Sequence, residues 1–351
     1  MRGEKMNKIQ SRVQKIHESI VIVDAHLDLA CDLYKQRFAG KKKVIETQYL
    51  EDFKKGGINV IVSSIYIDNE YLPESALRQA VGQIGALYAE LEESPDIIRL
   101  CRTYNDIEET LGQGKIAILL SFEGVEPLGN DLELLRVFYE LGVRLVGLCW
   151  SRRNCAAEGA FYTEVEAGQK SGLTNFGFRL VQKAKNLGMI IDVSHLNDEG
   201  FQDVIKISQN PLIASHSNCR VLHGTMRNLS DEQIKSIAAK DGVIGVNSVS
   251  ALIADCTEQA TVEYLVDHID HIVKLVGVEH VGLGFDFCER IIPPQTIIEV
   301  NGAKMEEFDV IQGYSGIHVL TNALLNRGYS EEDIELIYGK NFMRVFHKIL
   351  I

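Results

Sequence analysis

Residues 189–216 read MIIDVSHLNDEGFQDVIKISQNPLIASH. The apolar run from Met189 to His195 lacks the polar alternation of a half-exposed strand, so it reads as a strand buried on both faces. Asp198 to Ile207 then carries helical periodicity, Pro211 marks a loop, and a second apolar run extends from Leu212 to His216. Strand, helix, strand at this spacing is a parallel crossover. Both apolar runs end in a histidine.

The same grammar extends outward. Further β-branched apolar runs cover Ile20 to Asp28, Ile58 to Ile67, Ile116 to Glu123, Arg144 to Trp150, Val243 to Ser248 and Val281 to Phe287. Between most of them lie helical stretches. Leu72 to Glu92 is amphipathic, and Asn175 to Asn186 stops just before Gly188. Ser230 to Lys240 opens with the capping pattern Ser-Asp-Glu-Gln, and Thr261 to Val276 ends at Gly277. After Phe287 comes an irregular stretch containing Pro293-Pro294, then helical segments at roughly His318 to Asn326 and Ser330 to Lys348. Eight doubly buried strands alternating with helices imply an α/β barrel or a doubly wound sheet. With no repeat, linker or low-complexity segment to divide it, the chain is expected to be a single domain over 1–351, its C-terminal helices at about 318–350.

Composition narrows the function. A chain of 351 residues with 46% apolar residues can bury a large core. Its formal charge of -13, with no basic run beyond Lys41-Lys42-Lys43, offers no footprint for a nucleic-acid backbone. No segment has the length and apolarity of a membrane span, and Met1 to Ser19 lacks an apolar signal core, so a soluble, cytoplasmic protein is expected. Seven scattered cysteines without a C-x-x-C pair argue against disulfides and a structural zinc knuckle.

The chemistry gathers where the runs end. His26 and Asp28 close the first run two residues apart, on one side of an extended chain. Glu123 ends the third run, His195 the fifth, His216 the sixth, and Asp286 lies in the eighth. In a (β/α)8 barrel these ends form one face, the face that carries active sites, and packing alone gives no reason for such an alignment. Three imidazoles with two or three carboxylates suit zinc or another first-row divalent ion and are too nitrogen-rich for magnesium or calcium. Five ligands exceed what one open catalytic zinc takes, so two ions are expected, with Glu123 bridging them. Such a pair activates water and polarises a carbonyl, which points to hydrolysis of an amide-like bond with Asp286 as proton shuttle. His268 and His271 are spaced to chelate a metal within a helix, but neighbouring Asp267 and Asp270 suggest a solvated face. Arg152 and Arg153 read equally as substrate contacts or as a loop pair.

Ordered segments then resemble the membrane dipeptidase (renal dipeptidase) family of zinc peptidases from about Ile22 to Phe346. They are Val-Asp-Ala-His-Leu-Asp at 23–28, Ser-Phe-Glu-Gly at 121–124, Gly-Leu-Thr-Asn-Phe-Gly at 172–177, Gly-Met-Ile-Ile-Asp-Val-Ser-His at 188–195, Ser-His-Ser-Asn at 215–218 and Met-Arg-Asn-Leu-Ser-Asp at 226–231, with Gly-Tyr-Ser-Glu-Glu-Asp-Ile and Asn-Phe-Met-Arg-Val-Phe near the end. The resemblance implies one zinc on His26, Asp28 and Glu123 and another on Glu123, His195 and His216. It implies that Arg227 clamps the free carboxylate of a dipeptide, that a D-residue is accepted on the C-terminal side, and, by analogy, that the protein is a homodimer. The lipid-anchor signal of mammalian members is not seen. Three departures bear on substrate preference. Trp150 stands where mammalian members place a histidine, Phe287-Cys288-Glu289 replaces a common Phe-Asp-Gly, and Ser248-Val249 replaces two aromatic residues. The alternatives are a hydrolase of another amide, lactam or ester on the same centre, and a non-catalytic barrel.

Overall fold

The computed structural model describes the backbone of residues 2–162, 170–292 and 295–351, so Pro293-Pro294 lies outside the described residues. Nine strands form the main sheet: β1 (Ile22–Leu27), β2 (Ile58–Tyr66), β3 (Ile98–Leu100), β4 (Ile116–Glu123), β5 (Val143–Gly147), β6 (Ile190–Asp192), β7 (Leu212–Ala214), β8 (Val243–Val246) and β9 (Val281–Leu283). Their order is β1-β2-β4-β5-β6-β7-β8-β9, every pair parallel. Short β3 pairs with the start of β4, below the point where β5 joins it.

The sheet closes into a barrel at the seam between β9 and β1. There the Asp286 amide donates to the His26 carbonyl at 3.2 Å, and the buried Asp24 carboxylate accepts from the Phe285 amide at 3.0 Å. The fold is thus the (β/α)8 barrel, and the doubly wound alternative falls. Inside it, Val23, Val60, Leu119, Leu145, Ile190 and Val243 form one apolar cluster. Phe342 and Phe346 of the last helix, Asn341–Ile349, join that cluster and plug the barrel at the end where the strands begin. Apolar burial of this kind stabilises by roughly 25 cal/mol per Å2.

All eight apolar runs became strands, yet several strands stop short of the catalytic-type residue. The run to His195 is strand only to Asp192, because the Asp192 side chain accepts the Ser194 amide at 3.0 Å and turns the backbone out of the ladder. His195 and Asp286 then sit at φ of 68° and 58°, left-handed conformations uncommon for residues with a side chain and concentrated at functional sites.

The helices Asn175–Asn186 and Asp198–Ile207 have the expected bounds. Ser230 closes a reciprocal capping box with Gln233, and the Thr261 hydroxyl caps its helix through the Tyr264 amide. The stretch expected from Leu72 becomes helix only at Ala76, since Leu72 precedes Pro73 and is held extended. The stretch from Ser330 is broken by a π-helical segment, Leu336–Lys340.

Among the elements the sequence reading did not name are the helices Arg2–Ser19, Leu29–Phe38, Leu50–Gly56, Tyr104–Gly112 and Leu134–Glu140, the strand β3, and an antiparallel hairpin of β10 (Ile297–Val300) and β11 (Ala303–Glu306). The hairpin had a signal. Its turn is Asn301-Gly302, with φ of 50° and 79°, the dipeptide that supplies two positive φ values. No helix among the described residues is long and apolar enough to cross a membrane.

Candidate metal centre

The strand ends bring His26, Asp28, Glu123, His195, His216 and Asp286 together. His26 Nε2 lies 3.4 Å from Glu123 Oε2, 3.7 Å from Asp286 Oδ1 and 4.0 Å from Asp28 Oδ1. Glu123 Oε1 lies 3.0 Å from His195 Nε2 and 3.7 Å from His216 Nε2. Glu123 therefore faces His26 with one oxygen and the histidine pair with the other. Ligand atoms of His26, Asp28 and Glu123 all lie within 4.8 Å of one another, as do those of Glu123, His195 and His216, and of His26, His216 and Asp286.

Hydrogen bonding behind each ligand sets where its proton sits. The Ser215 hydroxyl donates to the Asp192 carboxylate, so its oxygen accepts from Nδ1 of His216 at 2.6 Å. That fixes the tautomer with a bare Nε2 lone pair, turned toward Glu123. Ser151 Oγ lies 2.9 Å from His195 Nδ1 in a hydrogen bond, and Ser64 hydrogen-bonds Asp28. Asp24 accepts the His26 amide at 3.2 Å and the Tyr314 hydroxyl at 2.5 Å. Gly245 and Gly284 are required beside this shell: a Cβ on either would stand 2.0 or 1.7 Å from the Ser215 carbonyl oxygen.

The electrostatics are those of donors awaiting a cation. Burial pushes the carboxyls of Asp28 up to about 7, and of Glu123 and Asp286 to about 8, with mutual repulsion adding to it for Asp28 and Asp286. Burial holds His195 and His216 well below the usual histidine range, hence neutral. Nε2 of His195 and His216 approach to 2.9 Å, while His26 Nε2 and Glu123 Oε2 are buried without a hydrogen-bond partner among the described residues. Unpaired buried donors and acceptors of this sort are costly, and a cation among the lone pairs removes the cost. The residues therefore fit divalent metal ions.

Above the centre is a cavity of about 600 Å3, lined by Asp28, Glu123 and Asp286 at its floor and by Tyr66, Trp150 and Tyr162 on one side. Asp286 accepts from the Asn247 amide nitrogen at 2.9 Å. Arg227 is 2% exposed and does not line the cavity. It lies behind His216, donating to the His216 carbonyl at 2.9 Å and to Ser217 Oγ at 3.1 Å, and its Nε has no partner among the described residues.

The arginine pair separates: Arg152 spans Glu126 at 2.7 Å and the Ile67 carbonyl at 2.8 Å while stacking over Tyr66 and Trp150, and Arg153 pairs with Glu158 at 2.7 Å. Arg152 thus shapes the cavity wall. The solvated-face reading of His268 is corrected. Its ring is fully buried, Nδ1 accepting from the Cys219 amide at 3.0 Å and Nε2 donating to the Ile253 carbonyl at 2.9 Å, while His271 pairs with Asp231.

The shell residues Asp24, Ser64, Asp192 and Ser215 were missed by sequence reasoning. Asp24 and Asp192 had a signal, being carboxylates inside otherwise apolar runs just before a ligand histidine.

In sequence and in fold the chain is similar to known dipeptidases. The family model described as membrane dipeptidase (peptidase family M19) matches residues 10–350. A dipeptidase of Claviceps purpurea, tcpJ, is 28% identical over 93% of this chain and 74% of its own length. Dipeptidase 3 of Homo sapiens is 29% identical over 97% of this chain and 67% of its own. A metallopeptidase from Rhodobacter sphaeroides, solved with a phosphinate mimic of the dipeptide L-Ala-D-Ala, superposes with a TM-score of 0.81 at 25% identity, covering 94% of this chain and 99% of that one.

Proposed function

The chain belongs to the membrane dipeptidase family, peptidase family M19, and is a peptide-bond hydrolase; from that premise we propose that it cleaves free dipeptides at a two-zinc centre. In this reading His26, Asp28 and Glu123 hold one ion, and Glu123, His195 and His216 the other. The observation that carries it is the division of Glu123, one oxygen toward His26 and the other toward His195 and His216. The ions, when bound, activate water and polarise the scissile carbonyl.

The chain's own residues do the rest. Asp286, steadied by Asn247, takes a proton from the attacking water and returns it to the leaving amine, a role suited to a carboxyl that burial lifts toward neutrality. Arg227 receives the substrate carboxylate through N–H groups it has not committed, a role supported by a buried guanidinium whose Nε has no partner among the described residues. Trp150 and Tyr66 wall the cavity and exclude water from one side. Acceptance of a D-residue at the C-terminal position belongs to the same proposal; it is supported by the L-Ala-D-Ala mimic held by the Rhodobacter relative. So does a single catalytic domain over 1–351.

Metal content of the purified protein, measured beside hydrolysis of L,L and L,D dipeptides, tests the proposal. Two zinc ions per chain and cleavage abolished by His195→Ala are expected. One ion per chain refutes the paired centre, and two ions without cleavage of any dipeptide refutes the substrate.

A further inference from the structure

The cavity has a second wall that the reaction does not use. It comes from the segment after Asp286: Ile291, Ile292, Ile298, Glu299 and Glu307 line it, the last two on and just beyond the β10–β11 hairpin. The wall combines apolar surface with carboxylates. Outside the metal centre and Asp286, the charged groups lining the cavity among the described residues are Asp68, Glu299 and Glu307 against one cation, Lys35.

Glu307 stands out among these. Glu299 is exposed, and Asp68 is both exposed and engaged by the Asn69 amide at 2.7 Å. Glu307 is half-buried, its backbone amide donates to Thr296, and its carboxylate has no hydrogen-bond or ion-pair partner among the described residues. Burial without a partner lifts its carboxyl above the usual range. A half-buried carboxylate beside Ile291, Ile298 and Val249 is complementary to a long aliphatic stem that ends in a cation.

Resting on the dipeptidase reading, we infer that Glu307 is a specificity residue selecting dipeptides whose amino-terminal residue is lysine or arginine. The amino-terminal position follows from charge. In the proposed reaction Arg227 takes the carboxyl end, and an acidic wall repels that end and attracts a cation on the other residue. Val249 and Cys288, two of the positions that depart from the family pattern, line the same side of the cavity and leave room there for the stem.

The test compares Lys-Ala with norleucyl-Ala, which keeps the stem and lacks the ammonium. Zinc-loaded wild type should show a kcat/KM ratio favouring Lys-Ala by about 10- to 100-fold, the range of a hydrogen bond to a charged group. Glu307→Gln should bring the ratio close to one, and Glu307→Lys should shift preference toward Glu-Ala. A wild-type ratio near one, or a ratio unchanged in Glu307→Gln, overturns the inference. If the wild type cleaves neither peptide, the dipeptidase reading fails by itself, and calorimetric titration with the same two peptides still judges Glu307 by their affinity ratio.

Discussion

Replacing Ser215 with alanine should weaken zinc binding about 10- to 100-fold, the usual effect of removing a partner that orients a metal-ligating histidine. The magnitude follows from the shell. Ser215 Oγ gives its proton to Asp192 and receives that of His216 Nδ1 at 2.6 Å. Without it, His216 loses the acceptor that keeps Nε2 bare, and the imidazole can place its proton on the nitrogen meant for the metal. Keeping the ligand tautomer then leaves a buried N–H unpaired, at a cost of about 1–3 kcal/mol, a factor of roughly 5 to 160 in affinity. Ser151 provides the comparison. It also holds a ligand histidine, at 2.9 Å, but has no carboxylate fixing its own proton, so Ser151→Ala should cost less. Competition with a chromophoric chelator measures both affinities, and thermal unfolding in excess chelator reports the metal-free fold. Equal losses in the two variants, or a Ser215→Ala affinity matching wild type, would refute the tautomer argument.

Other consequences are open to equally direct measurement. Arg227→Met should reduce kcat/KM for free dipeptides by about 100-fold, the scale of deleting one partner of a buried charge pair, and should abolish the preference over C-terminally amidated peptides; an intact preference would remove Arg227 from carboxylate binding. Burial lowers His268 to about 4 from 6.5, so the unfolded chain protonates first as pH falls. Its contribution is complete above pH 6.5 and is lost progressively as pH drops toward 4, by about 2 kcal/mol at pH 5, so over this window the wild-type urea midpoint should fall relative to that of His268→Gln. Gly284→Ala would drive a Cβ to 1.7 Å from the Ser215 carbonyl, and a loss of about 3 kcal/mol or more, read from the urea midpoint, is expected.

The barrel was legible because strands covered on both faces are written as unbroken apolar runs, and the clustering of His26, Asp28, Glu123, His195 and His216 because they interrupt those runs at their ends. Partnership is what the chain does not spell. Asp24 meets Tyr314, 290 positions away, and nothing near Asp24 announces that meeting. His268 shows the same limit: helical periodicity placed it, but its cover comes from the backbone at Cys219 and Ile253, so acidic neighbours suggested solvent where there is none. The hairpin was legible and overlooked, since Asn301-Gly302 stands between apolar residues in plain view. Arg227 was found only through resemblance, because a lone arginine in a loop carries no pattern of its own.

The seam between β9 and β1 also orders events in time. His195 and His216 are 21 positions apart, on neighbouring strands joined by one helix, so their side of the centre can assemble from a local piece of chain. His26 is oriented only when Asp24 meets Phe285, across 261 positions, an encounter that waits for nearly the whole polypeptide. In an emerging chain the histidine pair therefore precedes the residue, Phe285, that closes the seam.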